Sequence, residues 1–320
     1  MRYIRQEIFK EIGKKGQEKL RKSTVAIVGL GALGSNSAEL LARAGIGKLI
    51  LIDRDIVELS NLQRQSLFDE NDVEKPKALA AKEHLSKINS DVKIEFFIDD
   101  LNFGNIEKIL SKNIGLILDC TDNLETRFLI NDFSVKNKIP FVYSSAVGSK
   151  GYVFNVVPNK TPCLRCFLKE ASQLDTCETA GVLNTITNLI SSIQVNEAIK
   201  VLLNNNNEKN LLFFDVWNNE LSKIKVNKNK NCICCAKNSF EYLSGKNSSI
   251  IVKLCGDNVY QIKTKAIDKE QFNQLKNNLK KIGKAGNERA KGELSHVTDF
   301  GYCINFDNKI TIFNDGRALI

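Results

Sequence analysis

Apolar and polar positions alternate along this chain in a way that separates short strands from amphipathic helices. Val25-Ala26-Ile27-Val28 is an unbroken apolar run, the pattern of a parallel strand covered on both faces. It leads into Gly29-Leu30-Gly31-Ala32-Leu33-Gly34, and from Ser35 the spacing turns helical through Ala38, Leu41 and Ala44. Leu49-Ile50-Leu51-Ile52 predicts a second strand, ending at Asp53. Glu74-Lys75-Pro76-Lys77 introduces a helix with Ala78, Ala81, Leu85 and Ile88 on one face. Strands follow at Lys93–Phe97, Gly115–Asp119, Phe141–Ser145 and, after Gly148 and Gly151, Tyr152–Val157. A polar, turn-rich stretch from Lys169 to Ala180 predicts a loop. Thr185–Leu203 predicts a long apolar helix, and Leu211–Val216 with Ile224–Val226 a hairpin around Asn218-Asn219. Strands alternating with helices predict an α/β fold built on a Rossmann-like, doubly wound sheet.

At 320 residues the chain exceeds one ordinary core. The linker-like Ser244-Gly245-Lys246-Asn247-Ser248-Ser249 divides it into a large domain over residues 1–245 and a small α+β domain over 246–320. The latter predicts strands at Ile250–Leu254, Val259–Ile262, Gly301–Phe306 and Ile310–Phe313, and a helix from Asp268 to about Lys281. It carries no assignable chemistry, and His296 and Cys303 read as structural; His84, on the helix after Lys77, reads as a surface or half-buried residue rather than a ligand.

The glycine run permits a tight turn and a close backbone approach to phosphate, where a helix N-terminus adds unpaired N–H groups. Asp53, about twenty residues on, is placed to hydrogen-bond a ribose hydroxyl. A dehydrogenase needs no cations just past that aspartate. Here, however, Asp53-Arg54-Asp55-Ile56-Val57-Glu58-Leu59-Ser60-Asn61-Leu62-Gln63-Arg64-Gln65 offers the planar fork of Arg64 beside the amide of Asn61. Lys77, at a helix start after Pro76, suits an anion as well.

Nine cysteines without a secretory signal point to metal or chemistry rather than disulfides. Cys163-Leu164-Arg165-Cys166 and Cys232-Ile233-Cys234-Cys235 are two CxxC pairs that can close one tetrahedral Zn²⁺ site, stapling distant segments. A redox role for either pair is the competing reading. The net charge of +9 is scattered, without a basic helix or an aromatic-interleaved patch, which argues for an acidic protein partner over nucleic acid. No apolar run reaches membrane-spanning length and Met1–Gln6 has no signal-like apolar stretch, so a cytoplasmic protein is expected.

The glycine loop, the SNLQRQ stretch and Lys77 together resemble the ThiF/MoeB (HesA/MoeB/ThiF) adenylyltransferases, relatives of ubiquitin-activating enzymes, over roughly residues 1–240. The resemblance implies a sheet that turns antiparallel after the Gly148–Gly151 turn, with a four-cysteine zinc site. It implies an ATP site formed by Gly29, Gly31, Ala32, Gly34, Asp53, Asp55, Ser60, Asn61, Arg64, Lys77, Asp122 and Asn123. Asp122 would hold Mg²⁺, and Arg5 of a homodimer partner would reach the phosphates. Thr126 and Arg127 also fit the pattern. Cys177, near the start of the long helix, matches a position where the family often places a cysteine that takes over the acyl group or forms a persulfide linkage; an inert loop thiol or a metal contact are the alternatives. Ala32 departs from a frequent glycine, acceptable where φ is negative.

The implied reaction adenylates the C-terminal glycine carboxylate of a small β-grasp sulfur carrier ending in Gly-Gly. Pyrophosphate is released, and the product prepares a thiocarboxylate for molybdopterin, thiamin or tRNA thiolation. Three rivals stay open. A relative that dehydrates threonylcarbamoyladenosine on tRNA also uses ATP but usually lacks the paired CxxC motifs. An NAD(P)-dependent oxidoreductase leaves Arg64, Lys77 and both pairs unexplained. A zinc-bound scaffold that merely binds nucleotide predicts no turnover.

Overall fold

The structure is a computed structural model, and it describes residues 2–110, 113–168, 180–205 and 207–245. Beyond these it describes 251–253, 260–263, 270–279, 297–299, 303–306, 310–313 and 317–319. Two compact units result, Met1–Asp72 with Lys77–Ser248 and Val73–Pro76 with Ser249–Ile320.

The first unit opens with helices α1 (Ile4–Ile8) and α2 (Gly13–Lys22). The succession β1 (Thr24–Val28), α3 (Ala32–Ala44), β2 (Lys48–Asp53), α4 (Lys77–Ile88) and β3 (Lys93–Ile98) follows. Next come α5 (Ile106–Ile109), β4 (Leu116–Asp119), α6 (Leu124–Asn137), β5 (Phe141–Val147), β6 (Lys150–Val156), α7 (Asn184–Leu203), β7 (Leu211–Asp215) and β8 (Glu220–Ile224). The eight strands form one sheet in the order β3-β2-β1-β4-β5-β6-β7-β8. β3 through β5 are parallel in that order, and β6 to β8 continue the sheet antiparallel.

The unbroken apolar runs are explained by cover on both faces. In β1, Val25 and Ile27 join a core with Leu41, Ala81 and Ile190, while Ala26 and Val28 join an opposite core with Ile117, Phe128 and Phe154. α7 lies close against the antiparallel extension. A β-carbon on Gly151 would stand 2.3 Å from Ile190, so this crossing needs a glycine.

α3 begins at Ala32, three residues earlier than the apolar periodicity suggests. Gly31 is extended as its N-cap, and Ala32 is already helical, the conformation an alanine tolerates at that loop position.

In the second unit β9 (Ile251–Lys253), β10 (Tyr260–Lys263), β11 (Val297–Asp299), β12 (Cys303–Phe306), β13 (Ile310–Phe313) and β14 (Arg317–Leu319) form one antiparallel sheet ordered β11-β12-β13-β14-β10-β9. Residues 270–279 are helical. Phe272, Cys303 and Phe313 are buried. β11 and β14 have no counterpart in the apolar pattern; each spans three residues, too few for an alternation to register.

Among the described residues, no helix is long and apolar enough to cross a membrane.

Candidate nucleotide site and cysteine cluster

β1 and β4 are neighbours whose connections leave in opposite directions, so their C-terminal ends open a crevice at the switch point of the sheet. The glycine turn is built into its floor. Gly29 has φ of 86°, and a β-carbon there would lie 2.7 Å from the Cys120 carbonyl oxygen. A β-carbon on Gly34 would fall 1.8 Å from the Gly29 oxygen, so glycine alone lets α3 pack against the end of β1. The Ser35 hydroxyl donates to the Gly31 carbonyl at 2.7 Å. Gln194 of α7 fixes the surroundings: its amide donates to the carbonyls of Asp119 (3.1 Å) and Val142 (3.0 Å) and accepts from the Ser37 hydroxyl (3.0 Å).

Asp53 ends β2 beside this turn. One carboxylate oxygen accepts from the Leu30 amide and the other from the Asp55 amide at 2.7 Å. Burial, then the neighbouring Asp55, push its pKa up to about 6, with Lys77 and the two amides pulling the other way. Lys77 is itself buried; its Nζ lies 3.6 Å from Asp55 and its backbone N–H donates to the Asp55 carbonyl at 2.9 Å. Burial works against that ammonium, but Asp55, Asp53, Glu58 and Asp122 outweigh it and hold its pKa above the ordinary value. Arg54 closes the cluster through a 2.8 Å contact with Asp100.

The SNLQRQ stretch makes a 3-10 turn over Leu59–Asn61. Buried Asn61 and half-buried Glu58 cap it reciprocally: the Glu58 amide donates to Asn61 Oδ1 at 3.4 Å, and Asn61 Nδ2 donates to the Glu58 carboxylate at 3.5 Å. Ser60 is exposed and donates to Glu58 at 3.2 Å. Half-buried Arg64 is held by its guanidinium on the Ser60 carbonyl at 3.1 Å. After β4, Asp122 stands exposed and Asn123 caps α6, accepting from the Thr126 amide at 2.9 Å. The Asp122 charge reaches both Arg54 and Lys77.

Gly29, Gly31, Ala32, Gly34, Asp53, Asp55 and Lys77 therefore meet at one crevice, with Asp122 within electrostatic reach. Arg5 does not join them: it is exposed on α1 of the single chain. Cys177 lies outside the described residues.

Three polar residues of this region escape sequence reasoning. Arg54 reads as one more charge in a loop, and the periodicity gives no hint of its burial. Asp119 is fully buried at the end of β4, accepts from the Thr121 amide and hydroxyl at 3.1 and 2.7 Å, and has its pKa raised by burial. Gln65 is 3% exposed, and its Oε1 is buried without a hydrogen-bond partner among the described residues. A carboxylate ending an apolar strand is the one available signal, and it identifies Asp119 alone.

Away from the crevice, Cys163, Cys166, Cys232 and Cys235 bring four sulfurs within 4.8 Å of one another. Three of the sulfur–sulfur separations are 3.9, 3.6 and 3.5 Å. Zn–S bonds of about 2.3 Å in a tetrahedron require about 3.8 Å between sulfurs, so the donor set fits that metal. α6 braces both knuckles: Asn131 accepts from the Leu164 amide at 2.8 Å and donates to Cys234 at 3.3 Å. Arg165, inside the first pair, reaches Glu241 at 2.8 Å beyond the second.

The ThiF family model matches residues 3–235. The chain is 40% identical over 325 residues to the sulfur carrier protein ThiS adenylyltransferase of Bacillus subtilis, covering 100% of this chain and 94% of that one. It is 34% identical to the SAMP-activating enzyme E1 of Haloferax volcanii, over 74% of this chain and 88% of that protein. A solved structure of Escherichia coli MccB with ATP has the same fold, with a TM-score of 0.65 at 22% identity over 73% of this chain and 74% of that one.

Proposed function

The chain belongs to the ThiF family, and from that membership and the crevice chemistry we propose that it is an ATP-dependent adenylyltransferase acting on a small ubiquitin-like sulfur carrier. The observation that carries this reading is Lys77, a buried ammonium kept charged by Asp55 and Asp53 at the mouth of a glycine turn. Burying a charge is costly unless it is matched. The Lys77 charge suits the phosphates of a triphosphate bound at the turn.

In this reading the α3 N-terminus and Lys77 receive the phosphates, Asp53 the ribose, and Asn61 and Arg64 the outer phosphate oxygens. Asp122 is the residue that would hold Mg²⁺, which when bound neutralises phosphate charge. The carrier's terminal carboxylate oxygen forms a bond to the α-phosphorus as the bond to the bridging oxygen breaks, so pyrophosphate leaves with its electron pair. The chain's own contribution is alignment and cationic stabilisation of the charge moving onto the leaving group. The product is a mixed anhydride, open to a sulfur nucleophile as a free carboxylate is not. Cys177 is the candidate to receive the acyl group, forming a thioester and releasing AMP.

Arg5 enters only through a second copy of the chain. Its helix also exposes Ile4 and Ile8, with Phe9 just beyond, an apolar surface suited to a homodimer contact. The four clustered cysteines are read as a structural zinc site, and residues 246–320 as a separate small domain.

The test is exchange of labelled pyrophosphate into ATP, with and without a small protein ending in Gly-Gly. Carrier-dependent exchange is expected. Release of orthophosphate in place of pyrophosphate, or tight binding of NADH, defeats the reading.

A further inference from the structure

Of the turn's three glycines, Gly29 and Gly34 are required by the protein itself, but Gly31 is not. Its φ of −71° suits any residue. Among the described residues, one atom from beyond the turn and its helix comes as near as 4.0 Å to a β-carbon built there, and that atom is Gln65 Nε2. The space in front of Gly31 is thus open on the protein side and bordered by an N–H donor. No side chain caps α3 at this end, so the N–H groups of its first turn are also left for a ligand.

Gln65 is positioned by its backbone rather than by its amide. Its main-chain N–H donates to the Asn61 carbonyl at 3.0 Å, and its carbonyl accepts from the Phe68 N–H at 3.1 Å. The residue is 3% exposed, and its Oε1 is enclosed without a partner. Among the described residues no acceptor takes the Nε2 hydrogens either. An amide that is nearly buried and bonds to nothing in the protein adds no hydrogen bond to the fold, and an apolar side chain of the same length would cost less there. What the amide does supply is a donor beside an anion-binding helix end. Asp53 flanks the same turn through the Leu30 amide; with the ribose on Asp53, the phosphates come next along the turn, at Gly31. Phosphate oxygens only accept hydrogen bonds, so an N–H donor is their complement.

We propose that Gln65 is a further phosphate-binding residue, whose Nε2 donates to a phosphate oxygen of the nucleotide at the α3 N-terminus. This rests on the adenylyltransferase reading and adds a neutral donor to the cations Lys77 and Arg64.

The experiment compares the full-length wild type, Gln65→Met and Gln65→Glu by thermal melting, by calorimetric titration with ATP, and by competition of adenosine against ATP. Gln65→Met is expected to melt at or above the wild-type temperature, because it removes an unsatisfied acceptor and no protein hydrogen bond. It is expected to bind ATP about ten- to a hundredfold more weakly, the value of one hydrogen bond to a charged group, and to bind adenosine as wild type does. Gln65→Glu has nearly the same shape but no donor, and is expected to weaken ATP at least as far. Wild-type ATP affinity in either variant overturns the proposal. So does an equal loss for adenosine, or a loss of ATP affinity in Gln65→Met that comes with a lowered melting temperature, since either marks a structural role. Where adenosine binds too weakly to compete, the ATP and melting measurements decide together; where Gln65→Met does not fold, Gln65→Glu decides. Wild type that binds no ATP removes the parent reading too, while ATP binding indifferent to both substitutions removes only the role of Gln65.

Discussion

Replacing Asp53 by asparagine separates what the folded chain gives up to hold a charge from what that charge does for the nucleotide. The carboxyl is buried, and its pKa rises from 3.8 to about 6, first through burial and then through Asp55. A carboxyl that holds its proton more tightly when folded favours folding while protonated. That contribution is complete below about pH 4 and is lost as the pH rises through about 6. About two pKa units at 1.36 kcal/mol each make the ionised group a burden of about 3 kcal/mol at neutral pH. Asparagine carries no such burden, but its single carbonyl accepts from only one of the two N–H groups, Leu30 and Asp55, that the carboxylate serves. The other N–H is left wanting, at about 1–3 kcal/mol. The variant is thus expected to be at or below wild-type stability near pH 4 and to gain about 3 kcal/mol on it by pH 7. Urea denaturation followed by far-UV circular dichroism at several pH values measures this, and the difference between the proteins cancels groups common to both. A stability difference that stays constant from about pH 4 to about pH 7 refutes the reasoning. The same ionisation strengthens Asp53 as a ribose acceptor, so wild-type ATP affinity is expected to rise as the pH climbs through about 6.

Asp122→Ala removes an exposed carboxylate that no described contact needs for folding, so thermal stability is expected to hold while pyrophosphate exchange falls about a hundredfold or more; wild-type exchange in that variant removes Asp122 from the site. Cys177→Ala is expected to leave exchange unchanged and to eliminate any thioester with the carrier, detected as a thiol-labile adduct on a non-reducing gel. Exchange that fails in this variant contradicts a division between adenylation and acyl transfer. Elemental analysis is expected to find about one zinc per chain, and Cys232→Ser to lose it with a marked drop in melting temperature; a metal-free chain of unchanged stability counts against the zinc assignment.

The parallel half of the sheet is legible because burial on both faces removes polar positions from its central strands. Val25 to Val28 and Leu49 to Ile52 therefore read as unbroken apolar runs with the two cores already implied. The start of α3 is illegible for the opposite reason. Its first turn is made of Ala32, Leu33 and Gly34, and small residues carry little periodic signal, although Gly34 is where the helix approaches β1 most closely. The three-residue strands β11 and β14 depend on partners, such as Lys263 opposite Arg317 and Asp299 opposite Ile304, that no local pattern reveals.

The candidate site divides along similar lines. Residues whose spacing carries chemistry, such as the glycines, Asp53, the SNLQRQ stretch and the two CxxC pairs, are visible before any fold is known. Spacing does not reveal which of them are buried, and here burial sets the electrostatics. Lys77 stays charged because Asp55 and Asp53 lie beside it, Asp53 holds its proton unusually tightly because water is excluded, and Arg54 balances Asp55 and Asp100. Removing any one of these charges leaves its buried neighbour uncompensated, so single substitutions here are expected to change stability and nucleotide affinity together. An incoming triphosphate would add negative charge beside Lys77 and draw on the same field. The cluster is therefore better understood as one preorganised charge array than as separate ligands, and the stability cost of ionising Asp53 is the physical trace of that preorganisation.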